Sequence, residues 1–312
     1  MQTKLVFLDA ASVGDTDLSP IQSLGNLTVY NHTTPEELFE RAKDADILIT
    51  NKVQLMKKEL NQLHQLKLIC IAATGTNNVD LDEARRLGIQ VQNVANYSTE
   101  SVAQFTLATA FNLMHHLHAY DDFVKNGSYA SGHLFTFLGY PFMELKGKTW
   151  GIIGMGNIGK RVAALAKAFD MEVIYYSTSG KNVQAGYPSF TLKEVLGKSD
   201  IVSIHAPLNE QTKRLIGYEA LCCMKPNACL INVSRGGIVE EKDLAKALAE
   251  NKIAGAATDV FSREPIETSN PLLSKEISSK LLLTPHIAWS SIESRIRLIE
   301  AIANHIRVFK QA

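Results

Sequence analysis

Short apolar runs rich in β-branched residues recur through the first ninety positions: Lys4 to Leu8, Leu27 to Tyr30, Asp46 to Ile49, Leu66 to Ile71 and Ile89 to Val91. Polar, helix-favouring stretches such as Pro35 to Lys43 and Leu81 to Leu87 separate them. Each run is nearly continuous rather than alternating, which predicts strands covered on both faces, as in a parallel sheet. The rhythm returns from Thr149, with Trp150 to Ile153, Val173 to Tyr176, Ile201 to Ile204, Cys229 to Val233, Ile253 to Val260 and Leu281 to Leu283. Six strands with helical spacers predict a second, doubly wound sheet.

Between the two sets, Ser98 to His118 opens on the candidate caps Ser98 and Thr99 and is apolar on nearly every side, predicting one long buried helix that joins the domains. Asn126 to Glu144 follows, with Tyr129, Phe135, Phe137, Tyr140 and Phe142 set among glycines. It is too irregular for a regular element and too apolar for a solvated loop, so a contact between subunits is expected there. The last helix, from Ser290 or Ser291 to Lys310, has no strand of its own and is expected to return to the first domain.

Length and composition narrow the class. The 312 residues suggest two domains. Lys and Arg number 32 and Asp and Glu 32, so no positive surplus is available for a phosphate backbone, which argues against nucleic acid as a partner. Leu5 to Leu8 is too short for the core of an export signal, and Val102 to Met114, broken by Gln104 and Asn112, is too short for a bilayer span. Cys222, Cys223 and Cys229 form no CxxC pair, which fits reduced thiols in a cytoplasmic protein with no membrane association. His115, His116 and His118 diverge around their helix, so no metal site is expected.

The chemistry begins at Gly154-Met155-Gly156-Asn157-Ile158-Gly159, between the strand Trp150 to Ile153 and a helix with apolar Val162, Leu165, Ala166 and Phe169. The first glycine permits the turn, the second lets backbone approach a pyrophosphate, and the third lets the helix pack on the strand. NAD-binding versions of this fold place a carboxylate on the ribose about 20 residues further on. Here Ser177 stands 18 residues after Gly159, within Ser177-Thr178-Ser179-Gly180-Lys181. Hydroxyls and one cation remove the repulsion toward a 2′-phosphate but supply no arginine clamp, so NAD or NADP is the expected cofactor.

Three charged residues follow successive strands, where ligand crevices open in such sheets: Arg235 in Asn232 to Gly237, Glu264 in Asp259 to Pro265, and His286 in Thr284 to Ala288. Arginine grips a carboxylate through two parallel bonds, and a histidine paired with a carboxylate serves as a general acid near neutral pH. Singly they read as a surface ion pair, a turn residue and a core histidine; their shared placement favours a catalytic group.

With these segments and Ala73-Thr74-Gly75-Thr76-Asn77-Asn78-Val79-Asp80, nearly the whole chain resembles the D-isomer-specific 2-hydroxyacid dehydrogenases. Thr50-Asn51-Lys52, the Ala73 to Asn78 loop and Trp289 resemble the branch acting on hydroxypyruvate and D-glycerate. The resemblance implies an α/β protein of two doubly wound parallel-sheet domains, a Rossmann cofactor domain inserted in a flavodoxin-like substrate domain. Residues 1–98 and 287–312 would form the substrate domain and 99–286 the cofactor domain, with a dimerisation arm near 99–145 and the active site in the cleft. It implies that Arg235 orients a small 2-oxo acid, His286 protonates its carbonyl oxygen and Glu264 holds the imidazole. Amides near Thr74, Gly75 and Thr76 would bind the substrate carboxylate, with Lys52 and Trp289 nearby. Asp259 would hold the nicotinamide carboxamide beside the Val233 carbonyl, and His205, Pro207, Thr212, Ser234 and Ser290 would complete the cofactor contacts. A homodimer is implied.

Three alternatives share the fold. Phosphoglycerate dehydrogenase is disfavoured by the lack of an appended regulatory domain and of evident basic residues for a phosphate. Formate dehydrogenase is disfavoured by Glu264, where that branch uses glutamine. Dinucleotide-sensing co-repressors keep Arg, Glu and His, and turnover separates them from an enzyme.

Overall fold

The computed structural model describes residues 2–180 and 186–311. It divides into two compact units, Met1–Ser98 with Ser290–Ala312, and Thr99–Trp289. In the first unit five parallel strands, β1 (Lys4–Phe7), β2 (Asn26–Val29), β3 (Ile47–Thr50), β4 (Leu68–Ile71) and β5 (Gln90–Asn93), lie in the order β2-β1-β3-β4-β5. The order reverses between β1 and β3, the switch point at which such sheets gather ligand-binding loops.

Apolarity placed every one of these strands within two residues. Burial on both faces holds for β3 and β4, which are wholly buried, and fails for β2 and β5. Each edge strand has a neighbour on one side only, and Asn26, Thr28, Gln90 and Gln92 face outward. The helix Ile292–Gln311 packs against this unit through Leu298, Ile299, Ile302 and Ile306, all buried. Its register is tied by Arg297 Nε donating to Tyr97 O at 2.9 Å and Arg295 Nη1 to Val13 O at 3.1 Å.

The second unit carries β6 (Thr149–Ile153), β7 (Glu172–Tyr176), β8 (Ile201–Ile204), β9 (Cys229–Asn232), β10 (Gly255–Thr258) and β11 (Leu281–Leu283). All are parallel, in the order β11-β10-β9-β8-β6-β7. Beyond β7, Tyr175 makes one parallel bridge with Ser189. With that bridge taken as a third strand worn down to one residue pair, the first six positions follow the dinucleotide-fold order 3-2-1-4-5-6, and β11 adds a seventh. Both sheet faces are covered. One cluster joins Trp150 and Tyr175 to the helices Thr99–His115 and Asn157–Ala168; the other joins Ile204 and Leu230 to the helix Glu241–Ala249.

The single helix expected from Ser98 to His118 is two. It stops at His115, His116 turns left-handed at φ 52°, and Leu117–Lys125 continues as a separate helix with no buried residue. Apolar periodicity runs through the break because Leu117 is apolar although exposed. The irregular stretch that follows packs partly on this second helix. Phe123 stacks on Phe137 at 3.9 Å, and Tyr120 Oη donates to Tyr140 O at 2.7 Å. Leu134, Phe135 and Leu138 stay outside, Phe135 at 90% exposure. Among the described residues no helix is long and apolar enough to cross a membrane.

Candidate active site

The three glycines after β6 differ in what surrounds them. At Gly154, φ 94°, a Cβ would lie 2.8–2.9 Å from the backbone of Ala206 and His205; at Gly159 it would lie 2.3 Å from Gly154 O. Both must therefore lack side chains for the strand, turn and helix to close. Gly156 has nothing within 4 Å of its Cβ position and caps the helix Asn157–Ala168. With no side chain there to satisfy the first-turn amides, that helix end offers donors and positive dipole to an anion, and the open space admits one. Met155 is buried and Ile158 packs on the core, so these two face the loop through backbone alone.

Ser177 follows β7 directly, and its buried Oγ has no hydrogen-bond partner among the described residues. Thr178 is half-buried and Ser179 exposed, whereas Lys181 lies outside the described residues. After β8, His205 N donates to Ile153 O at 2.8 Å, and His205 Nε2 meets Ser203 Oγ at 2.9 Å. Trp150 Nε1 donates to the same Oγ at 2.8 Å. Burial pushes the His205 imidazole down to about 3, so it is neutral at physiological pH. Thr212 is used within its own loop, its Oγ1 donating to Pro207 O at 2.6 Å and accepting from Asn209 N at 2.8 Å. Ser234 Oγ donates to Ala206 O, which ties the loop after β9 to the loop after β8.

Arg235, Glu264 and His286 come from the loops after β9, β10 and β11, three adjacent strands. The buried Asn232 side chain shapes the first loop, with Nδ2 donating to Arg235 O at 2.9 Å and Oδ1 accepting from Ser234 N at 3.2 Å. A Cβ on Gly236 would sit 2.0 Å from Phe261 C and O, so the first and second loops meet backbone to backbone. Glu264 Oε1 accepts from Phe261 N at 3.0 Å, and Oε2 pairs with His286 Nδ1 at 2.7 Å. That pairing places the proton of a neutral imidazole on Nδ1 and leaves Nε2 for another partner. Glu241 steadies the second loop from the helix Glu241–Ala249, accepting from Ser262 N at 2.7 Å and Asn270 Nδ2 at 2.8 Å.

His286 itself sits at φ 57°, a left-handed conformation unusual for a residue with a side chain. Asp259, 1% exposed at the end of β10, accounts for it. Its Oδ1 accepts from Thr284 Oγ1 at 2.6 Å and Ile287 N at 2.8 Å, and its Oδ2 from Ala288 N at 2.8 Å. One buried carboxylate thus grips the turn on both sides of His286. Burial raises the Asp259 carboxyl above its ordinary value, outweighing these bonds and the nearby imidazole, which pull it down. Three bonds leave about one of its four acceptor sites for a ligand. Trp289 packs on the core beside this turn, and Ser290, half-buried, begins the returning segment of the first unit.

Within the first unit, Lys52 lies on the turn after β3 and Thr74, Gly75 and Thr76 on the loop after β4. Asn93 Nδ2 donates to Thr74 O at 2.6 Å, and Thr74 Oγ1 to Val94 O at 3.1 Å. Sequence reasoning missed Asp9 and Glu241, and it quoted Asn78 only as part of its loop; their partners lie 21 to 43 positions away. The signal available for Asp9 was a carboxylate directly after an apolar strand.

Residues 107–288 match the family model for the D-isomer specific 2-hydroxyacid dehydrogenase NAD binding domain. The chain is 36% identical to the hydroxypyruvate reductase of Blautia hydrogenotrophica, covering 98% of this chain and 96% of that one. It is likewise 36% identical to the glycerate dehydrogenase of Methylorubrum extorquens, over 99% and 96%. Among solved structures, the D-lactate dehydrogenase of Aquifex aeolicus, complexed with NAD and lactic acid, superposes with a TM-score of 0.86 at 27% identity, over 99% and 96%.

Proposed function

The chain belongs to the D-isomer specific 2-hydroxyacid dehydrogenase family, and we propose that its substrate pair is hydroxypyruvate and D-glycerate, with glyoxylate as a secondary substrate. It is a nicotinamide-dependent oxidoreductase; the bound dinucleotide supplies or accepts the hydride. The observation that carries the mechanistic reading is the 2.7 Å pair between His286 Nδ1 and Glu264 Oε2. With Nδ1 engaged, Nε2 of the protonated ring delivers a proton to the carbonyl oxygen during reduction and takes it back during oxidation. Glu264 balances the charge that the imidazolium carries. Arg235 orients the 2-oxo acid by paired hydrogen bonds. The amides of Thr74, Gly75 and Thr76 hold the substrate carboxylate, with Lys52 and Trp289 as further substrate contacts.

On the cofactor side, Gly154 to Gly159 would hold the pyrophosphate, Ser177 and its neighbours the ribose, and Asp259 the carboxamide. Val233, Ser234, His205, Pro207 and Ser290 would complete that surface, with the buried Thr212 shaping its loop from beneath. Because Ser177 brings no negative charge, both NADH and NADPH are used. The exposed Leu134, Phe135 and Leu138 support a homodimer built on the arm near 99–145, and the four free cysteines suit the cytoplasm. A monomeric mass by light scattering at micromolar concentration would reject the dimer.

The experiment is a panel of hydroxypyruvate, glyoxylate, pyruvate and phenylpyruvate against NADH and NADPH. Hydroxypyruvate is expected to give the highest kcat/KM. A clear preference for pyruvate or phenylpyruvate would overturn the substrate assignment, and no turnover with any acid would favour a scaffold.

A further inference from the structure

Asp9 ends the apolar run of β1 and is 6% exposed, yet it carries a carboxylate. The donors that reach it come from the end of β3 and the turn that follows. Oδ1 accepts from Asn51 N at 2.9 Å, Oδ2 accepts from Lys52 N at 2.7 Å, and Thr50 Oγ1 lies 3.4 Å from Oδ2. Thr50 Oγ1 in turn accepts from Val53 N at 3.0 Å, closing the turn on itself. From the other side, the buried Asn78 donates Nδ2 to Val53 O at 3.2 Å, while Leu55 N donates to Asn78 O at 2.8 Å. Val79 N donates to Thr76 O at 3.1 Å. A continuous polar chain thus runs from Asp9 through the Lys52 turn to the Thr74–Thr76 loop.

Burying a charge is costly unless its bonds return something, and here they return the position of one two-residue stretch of backbone. We propose that Asp9 is the positioning residue for Lys52, fixing the turn that presents this lysine to the substrate. It touches neither substrate nor cofactor. The inference rests on the reading of Lys52 as a substrate contact. It predicts a loss confined to substrate affinity, because the glycine loop and the Glu264–His286 pair hang on other strands.

The test compares Asp9→Asn, Lys52→Ala and the double variant, each measured for KM and kcat with hydroxypyruvate and for NADH affinity by fluorescence. Asparagine keeps the shape but turns one acceptor into a donor facing an amide. KM is expected to rise about tenfold to a hundredfold, what losing one hydrogen bond to a charged group costs, with NADH affinity unchanged. In the Lys52→Ala background, Asp9→Asn should add little, since the group it positions is gone. If Lys52→Ala alone leaves KM unaltered, the reading of Lys52 fails and this inference falls with it. If Lys52→Ala raises KM while Asp9→Asn does not, or the two effects add fully, the positioning role alone is overturned. Should Asp9→Asn fail to fold, Asp9→Ser, which keeps an acceptor, takes its place; if neither folds, Asp9 serves folding and the proposal is wrong.

Discussion

The turns after β11 and after β7 leave the same edge of one sheet, yet they are built in opposite ways. Around His286 the turn is held from two sides: Asp259 takes donors from Thr284, Ile287 and Ala288, and Glu264 takes the ring. Around Ser177 the hydroxyl that should define the turn is buried with no partner among the described residues. The difference follows from what each turn is asked to do. Proton transfer fails when the imidazole moves by a fraction of an ångström, so a buried charge is used to fix it. Discrimination between two dinucleotides rests on the sign of a charge, which tolerates loose geometry.

The sharpest way to break this contrast is His286→Ala. It should lower kcat by about 10²- to 10⁴-fold and leave NADH affinity nearly intact. An unchanged kcat would remove the histidine from proton transfer. Arg235→Lys comes next: a point charge cannot reproduce the planar two-bond grip, and a loss of about tenfold or more in kcat/KM is expected. Normal turnover with an unaltered KM would refute the grip.

Asp259→Asn addresses the support rather than the group supported. One backbone amide loses its acceptor, at a cost of about 1–3 kcal/mol in a buried setting, and activity should fall while the chain stays folded. Its pH dependence has a definite sign. Burial holds the Asp259 carboxyl above the ordinary 3.8, so the folded protein binds that proton before the unfolded chain does. The contribution to stability is fully present below 3.8 and is lost as pH rises through the raised value. Denaturant melts at several pH values should therefore show the gap between wild type and Asp259→Asn shifting in favour of wild type on acidification. A gap independent of pH would mean that this carboxyl titrates alike in both states.

The smallest effect belongs to the looser turn. Wild type should use both cofactors with less than about a hundredfold preference, since each charge-assisted bond absent from Ser177 is worth only about 1.5–3 kcal/mol. Ser177→Asp should restore a preference for NADH in kcat/KM. Exclusion of NADPH by wild type a thousandfold or more would show that another group does the rejecting.

How much of this was legible beforehand depended on whether the cause lay nearby in sequence. Central strands such as Ile201–Ile204 announce themselves because every side chain is buried, and Gly154 to Gly159 because one short segment holds all three glycines. The placement of Arg235, Glu264 and His286 at one edge followed from strand order alone. Edge strands β2 and β5, the break at His116 and the one-pair remnant at Ser189 were hidden, since each is decided by what does or does not pack beside it. The supports were hidden for a stronger reason. Asp9 reaches Lys52 across 43 positions and Asp259 reaches Ala288 across 29, and no local pattern encodes such a bond.

The left-handed backbone of His286 sets activity against durability. For a residue with a Cβ that conformation costs about 1–2 kcal/mol, and glycine adopts it freely. His286→Gly should therefore be as inactive as His286→Ala yet melt at a higher temperature than it. Selection for heat resistance alone would push this position toward glycine, and only selection for turnover keeps the imidazole there.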